Sequence, residues 1–171
     1  MVGSGTGIDP GSYVVFDLNG AYFATYSNAS PDNLWHHYCL VVDNKNNNVS
    51  MYVDGILKGS KNNSAIINMG GTMNTALGIL GARNTYNSSS TLTRNLNGYL
   101  TRMCVWDGAL TNNEVIADYN RRMDCPINGE NATLLNYYSM NTDSVGNLID
   151  HISGQNMQPF GNVSVVSELP Q

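Results

Sequence analysis

The chain has 171 residues, of which only 12% are charged, and its eight Lys and Arg against thirteen Asp and Glu give a formal net charge of −5. That length suits one domain, or one domain plus a tail, with a substantial core. The acidic balance and the lack of any basic cluster argue against nucleic acid as a partner, and no run of about 18 apolar residues is present to form a membrane-spanning helix.

The polarity comes from Asn, Ser, Thr and Gly instead of Lys and Glu. These residues compete with helix for their own backbone and favour short strands joined by turns. Residues 1–11 are Gly-rich and read as a flexible arm. They lack the charged and apolar regions of a signal peptide, so either the chain is not secreted by that route or it is an excerpt of a larger product. Residues 12–16 and 21–26 are apolar, β-branched or aromatic runs around Asn19-Gly20, a hairpin signal. Residues 35–43 read as the next strand, and 44–48 as an Asn-rich turn. Asp54-Gly55 then joins two further short strands tightly. Residues 76–81 and 98–106 read as strands on either side of a polar loop. Thr111-Asn112-Asn113-Glu114 is a capping box that opens the single predicted helix, residues 112–122. Val115, Ile116 and Tyr119 form the expected apolar side of that helix. The pattern predicts an all-β fold: an antiparallel β-sandwich, jelly roll in preference to barrel, with one short helix near 112–122. Residues 12–122 form the expected core. Residues 123–171 are a C-terminal segment that completes the sandwich or pairs with a neighbour.

Three cysteines, Cys39, Cys104 and Cys125, have no metal-site spacing. Cys39 and Cys104 read as small buried residues, and a Cys104–Cys125 disulfide is open to the chain in an oxidising compartment. Asn28, Asn48, Asn62, Asn87, Asn131 and Asn162 fit the N-x-S/T acceptor pattern for N-glycosylation. Chance alone gives about four such matches in a chain with this much Asn, Ser and Thr.

Three segments resemble one family. Trp35-His36-His37-Tyr38 begins a strand similar to the W-x-H strand of laminin-G-like jelly rolls. Tyr52-Val53-Asp54-Gly55 resembles that family's hairpin, and Leu96 to Thr111, with Trp106-Asp107, resembles its closing strand. The helix that follows fits as well. The resemblance is to the concanavalin A-like lectin/glucanase superfamily, in its laminin-G or pentraxin branch, and it covers residues 12–122. It implies a jelly-roll sandwich; the large apolar area of Trp35, Tyr52 and Trp106 reads as core packing in preference to a sugar-stacking role.

Departures from the family pattern bear on function. Where pentraxins hold calcium with a carboxylate cluster, this chain has Ile79-Leu80-Gly81-Ala82-Arg83-Asn84. No cofactor is expected: calcium is possible but not supported by the residues at the pentraxin-type position, and Asp54, Asp107 and Asn84, which could contribute oxygens elsewhere, read as turn formers in preference. The paired glutamates of the glucanase branch are missing, since Glu114, Glu130 and Glu168 stand apart, so no enzyme activity is expected. His36 and His37 are adjacent, and His151 reads as isolated. The opening strand of such domains is missing from the front, but residues 134–140 and 148–156 resemble it, displaced to the tail. A circular permutation, the start of a following repeat, or strand donation to a second copy would each account for this. Two functions follow as expectations. One is an extracellular recognition or adhesion module, at a cell or virion surface, that binds a glycan or protein. The other is a structural subunit of a filament, surface layer or virion that self-associates through residues 134–171 by strand complementation.

Overall fold

A computed structural model describes residues 34–62, 99–121, 128–159 and 164, together with short strand backbones at 2–3, 13–14, 16–18, 21–23, 83–84 and 92–93. The chain forms two compact units, Met1–Tyr99 and Leu100–Gln171. The division falls inside the strand expected at 98–106, of which, among the described residues, only Met103–Trp106 is strand.

In the first unit, β1 (Val2–Gly3) pairs with β2 (Tyr13–Val14). The segment expected to be an arm, 1–11, thus contributes two residues to a ladder, with the β-branched Val2 opposite Val14. β3 (Phe16–Leu18) and β4 (Ala21–Phe23) pair with Leu18 opposite Ala21, which leaves the two residues Asn19-Gly20 between them as expected for a tight hairpin.

The main sheet of this unit is β5 (Tyr38–Asp43), β6 (Asn48–Val53) and β7 (Ile56–Asn62), antiparallel with β6 in the centre. The β5–β6 turn closes on Asp43, whose carboxylate accepts the Asn46 backbone N–H at 3.1 Å and side-chain N–H at 2.7 Å. Asn47 sits at φ 54°, a left-handed conformation that Asn tolerates better than most residues. β6 carries four successive buried residues, Val49, Ser50, Met51 and Tyr52, so both of its faces are covered. A bulge at Met51/Tyr52 leaves Lys58 of β7 as the extra residue. Short ladders also join β8 (Arg83–Asn84) and β9 (Leu92–Thr93). The predicted strand at 76–81 lies outside the described residues.

The second unit is β10 (Met103–Trp106), α1 (Asn112–Arg121), β11 (Leu134–Thr142) and β12 (Leu148–Asp150), with β11 central in an antiparallel sheet. Leu110, Val115, Ala132, Leu134, Tyr138 and Leu148 form its core, and Val115 is fully buried. Burying one such side chain contributes about 1.5–3 kcal/mol. β11 belongs to the tail and pairs on one edge with β10 and on the other with β12. The C-terminal segment therefore completes a sheet of its own chain.

The capping box forms as its residue types dictate. The Thr111 backbone N–H donates to Glu114 Oε2 at 2.6 Å, and the Glu114 N–H donates to Thr111 Oγ1 at 3.3 Å. The Thr111 N–H, opposed by burial and joined by the Glu130 N–H, holds the Glu114 carboxyl below its usual range. The apolar side of α1 differs from expectation. Val115 is buried but Ile116 is exposed, and Asp118, one turn on from Val115, is buried in its place. Asp118 is tolerated there because the Arg102 guanidinium binds its Oδ2 at 2.9 Å and its backbone carbonyl at 3.3 Å.

Candidate functional site

The site begins with the β6–β7 turn. Asp54 and Gly55 lie at φ 53° and φ 75°, the pair of left-handed conformations that a two-residue hairpin needs to match strand twist. Gly adopts this freely, and Asp is among the few other residues that do. The turn leaves the Asp54 carboxylate free to reach back along the sheet. Oδ2 meets His36 Nδ1 at 2.7 Å, Oδ1 accepts the His37 backbone N–H at 2.9 Å, and the Asp54 N–H donates to the His37 carbonyl at 2.9 Å. One turn residue thus ties down the segment that leads into β5.

This tie accounts for where β5 starts. The strand begins at Tyr38 and not at Trp35, because residues 36 and 37 spend their polar groups on the Asp54 turn. The His36 ring lies 6.2 Å from the Tyr38 ring. Trp35 is delivered to the surface: it is 46% exposed, and its ring centroid is 6.4 Å from that of Tyr99, which is 56% exposed. Leu34, beside Trp35 in the chain, is also exposed. The expectation that Trp35 is a core residue is therefore corrected. Tyr52 is buried as expected, and Trp106 is half-buried. Burial, with a contribution from Cys39 directly opposite on β5, pushes the Tyr52 phenol above its usual range.

A tilted, exposed Trp–Tyr pair held by a pinned backbone is a surface that can stack on an apolar or sugar face. The polar groups beside it, His36 and Asp54, are half-buried and bonded to each other. Among the described residues, no group of three or more His, Cys, Asp or Glu could hold a metal ion. Both oxygens of Asp54 are engaged in the turn, and Asp107 Oδ1 accepts the Thr133 N–H at 2.5 Å. Of the predicted turn formers, Asn84 lies on β8.

The second unit holds a separate polar knot. Asp150, 3% exposed, accepts hydrogen bonds from Asn136 Nδ2 at 2.7 Å, from the Tyr137 N–H at 3.0 Å, from the Ile152 N–H at 3.1 Å and from Ser153 Oγ. Burial alone would raise its pKa, but these four donors outweigh it and hold the carboxyl well below the usual range. Asn156 links this knot to Asp143, donating to its Oδ2 at 3.0 Å and accepting the Asp150 N–H at 3.1 Å. His151, which reads as isolated in sequence, meets Ser139 Oγ at 2.7 Å and packs against the Tyr137 ring. Sequence reasoning missed this knot and the Arg102–Asp118 pair. The only local hint was the run of Asp, Ser and Asn after β11.

The residues singled out from sequence fall as follows. Asn48 is half-buried on the central strand, its carboxamide bonded to Ser50 and Ser60. Asn62 is exposed at the end of β7, and Asn131 is exposed before β11. Asn28, Asn87 and Asn162 lie outside the described residues. Cys104 is half-buried on β10 opposite Tyr137, and its candidate partner Cys125 lies outside the described residues. Of the glutamates, Glu114 is spent on capping α1 and Glu168 lies outside the described residues.

The Trp106-Asp107-Gly108 segment also explains itself. A Cβ on Gly108 would stand 2.3 Å from the Asn131 carbonyl oxygen, so only glycine lets the 131–132 backbone pass. Asp107 and Thr133 clasp there, with the Asp107 N–H donating to the Thr133 carbonyl at 3.0 Å.

No curated protein and no solved structure matches the chain significantly. A laminin-G-type family, described as the concanavalin A-like lectin/glucanases superfamily, matches residues 5–116, well over half of the chain. The matched span includes the Asp54 turn, the Trp35 segment and the Trp106-Asp107 strand. The chain therefore belongs to the concanavalin A-like lectin/glucanases superfamily, as a laminin-G-like domain.

Proposed function

We propose that this chain is a non-catalytic, extracellular recognition module whose strands form a jelly-roll sandwich, and that it binds a carbohydrate or protein ligand across Trp35 and Tyr99. Superfamily membership supports the sandwich and the binding role by analogy, since laminin-G-like domains in general bind glycans or proteins. The observation that carries the reading is the exposed pair of rings, Trp35 on the segment that Asp54 pins and Tyr99 beside it. An aromatic face supplies contact area at low entropic cost, and such residues dominate binding energy at interfaces. The pinning removes part of the ordering cost that a loose loop would meet on binding.

The ligand needs neither calcium nor another cofactor in this reading. A glycan array, run with and without calcium on the wild type and on Trp35→Ala, tests it. The expected result is calcium-independent binding that falls by tenfold or more in the variant, as truncation of a central aromatic costs about 2 kcal/mol or more. Binding unchanged by the substitution would place recognition elsewhere on the molecule. Binding lost on chelation would overturn the cofactor-free reading.

The filament or virion-subunit alternative draws less support. It relies on a strand from residues 134–171 available for a neighbour, and Leu134–Thr142 already pairs along both edges within its own chain.

A further inference from the structure

The sequence offers several N-x-S/T patterns, and the tertiary structure separates them. Asn131 lies in a segment, residues 128–133, that is held on both sides of it. The Gly129 N–H donates to the Ala132 carbonyl at 2.8 Å, and the Glu130 N–H donates to the Glu114 carboxylate. The Thr133 N–H binds Asp107 Oδ1 at 2.5 Å, and Asn128 Oδ1 takes the Leu134 N–H at 2.7 Å. Within this segment Ala132 is 4% exposed, while Asn131 and Thr133 on either side of it are both exposed. Both residues that supply the acceptor pattern, Asn131 and Thr133, are thus exposed. The Asn131 backbone carbonyl, by contrast, packs over Gly108.

Asn48 is the opposite case. It sits on the central strand between β5 and β7, directly opposite Asn62. Its Nδ2 donates to Ser50 Oγ at 3.1 Å and its Oδ1 accepts from Ser60 Oγ at 2.6 Å. Ser50 supplies the hydroxyl of the acceptor pattern and is 8% exposed, inside the sheet. A glycan on Asn48 would disturb that hydroxyl network.

We infer that Asn131 is an N-glycan attachment site of the secreted protein and that Asn48 is not. This rests on the extracellular reading above. The full chain is expressed behind a host signal sequence in eukaryotic cells, so that the host and not the chain supplies entry to the secretory route. Secreted protein is then mapped by peptide mass after enzymatic release of N-glycans in heavy-oxygen water. The expected result is a glycan at Asn131, lost equally in Asn131→Gln and in Thr133→Ala, with Asn48 unmodified. A bare Asn131 in secreted, folded protein, or a glycan at Asn48, would overturn the assignment. The glycan array is repeated on Asn131→Gln protein, so that failure of the binding reading and failure of the attachment site register separately.

Discussion

Asp54 joins the hairpin to the exposed aromatic pair, and its replacement by Ala separates two contributions that can be estimated from the structure. The first is conformational. At φ 53° the residue is left-handed, where Ala costs about 1–2 kcal/mol. The second is the loss of the bonds to His36 Nδ1 and the His37 N–H. Hydrogen bonds to a charged group contribute about 1.5–3 kcal/mol, and the lower end applies because Asp54 is 29% exposed. Asp54→Ala is therefore expected to lose about 2.5–3.5 kcal/mol in urea unfolding at pH 7, followed by far-ultraviolet circular dichroism. Asp54→Gly removes the same bonds without the conformational penalty, so it should recover about 1 kcal/mol of that loss. Asp54→Asn keeps the left-handed tolerance and one acceptor and should lie closest to wild type. Wild-type stability in Asp54→Ala, or equal losses in the Ala and Gly variants, would refute the assignment of the turn as the anchor of the Trp35 segment.

Arg102→Met leaves the Asp118 carboxylate buried without its guanidinium and is expected to cost about 3–5 kcal/mol by denaturant unfolding. The double variant Arg102→Met/Asp118→Leu should regain most of it; a double variant as unstable as the single one would show that the pair is needed for more than mutual neutralisation. Acid stability should follow Asp150. Its carboxyl is held below the ordinary value of 3.8, so its contribution is complete above that pH and is lost as pH falls below it toward the folded-state value. Asp150→Asn should flatten the pH dependence of the melting temperature below about pH 4, and an unaltered acid slope would show that other carboxylates govern it.

Much of the local structure was legible in the sequence because its causes are local. Asp54-Gly55 dictates its turn through backbone sterics. Thr111 and Glu114 dictate the start of α1 because three residues is the reach of a capping box. The same three motifs that carried the family resemblance fall inside the matched span, since short-range chemistry recurs wherever the same turn and strand end are built. The Asn-rich turn at 44–47 is of this kind: Asp43 and Asn46 bond across it, and Asn47 takes the left-handed position.

What escaped the sequence depends on residues far apart in the chain. Trp35 looked like core, since a large aromatic in an apolar run is usually buried. It is exposed where Asp54, in the next hairpin, holds the His36 ring and the His37 backbone, and the strand begins only at Tyr38. Ile116 and Asp118 exchanged their expected environments because Arg102, sixteen residues before Asp118, makes burial of a carboxylate tolerable. Asn131 and Asn48 both fit the N-x-S/T pattern, and the fold separates them: Asn131 and Thr133 are exposed, whereas Asn48 is half-buried and bonded to Ser60 and to the buried Ser50. The sequence by itself determined the turns, the helix start and the family, through local dihedral preference and hydrogen bonding. Only the tertiary structure decided which aromatic rings, carboxylates and asparagines face solvent, because burial is set by what packs against a residue and not by its neighbours in the chain.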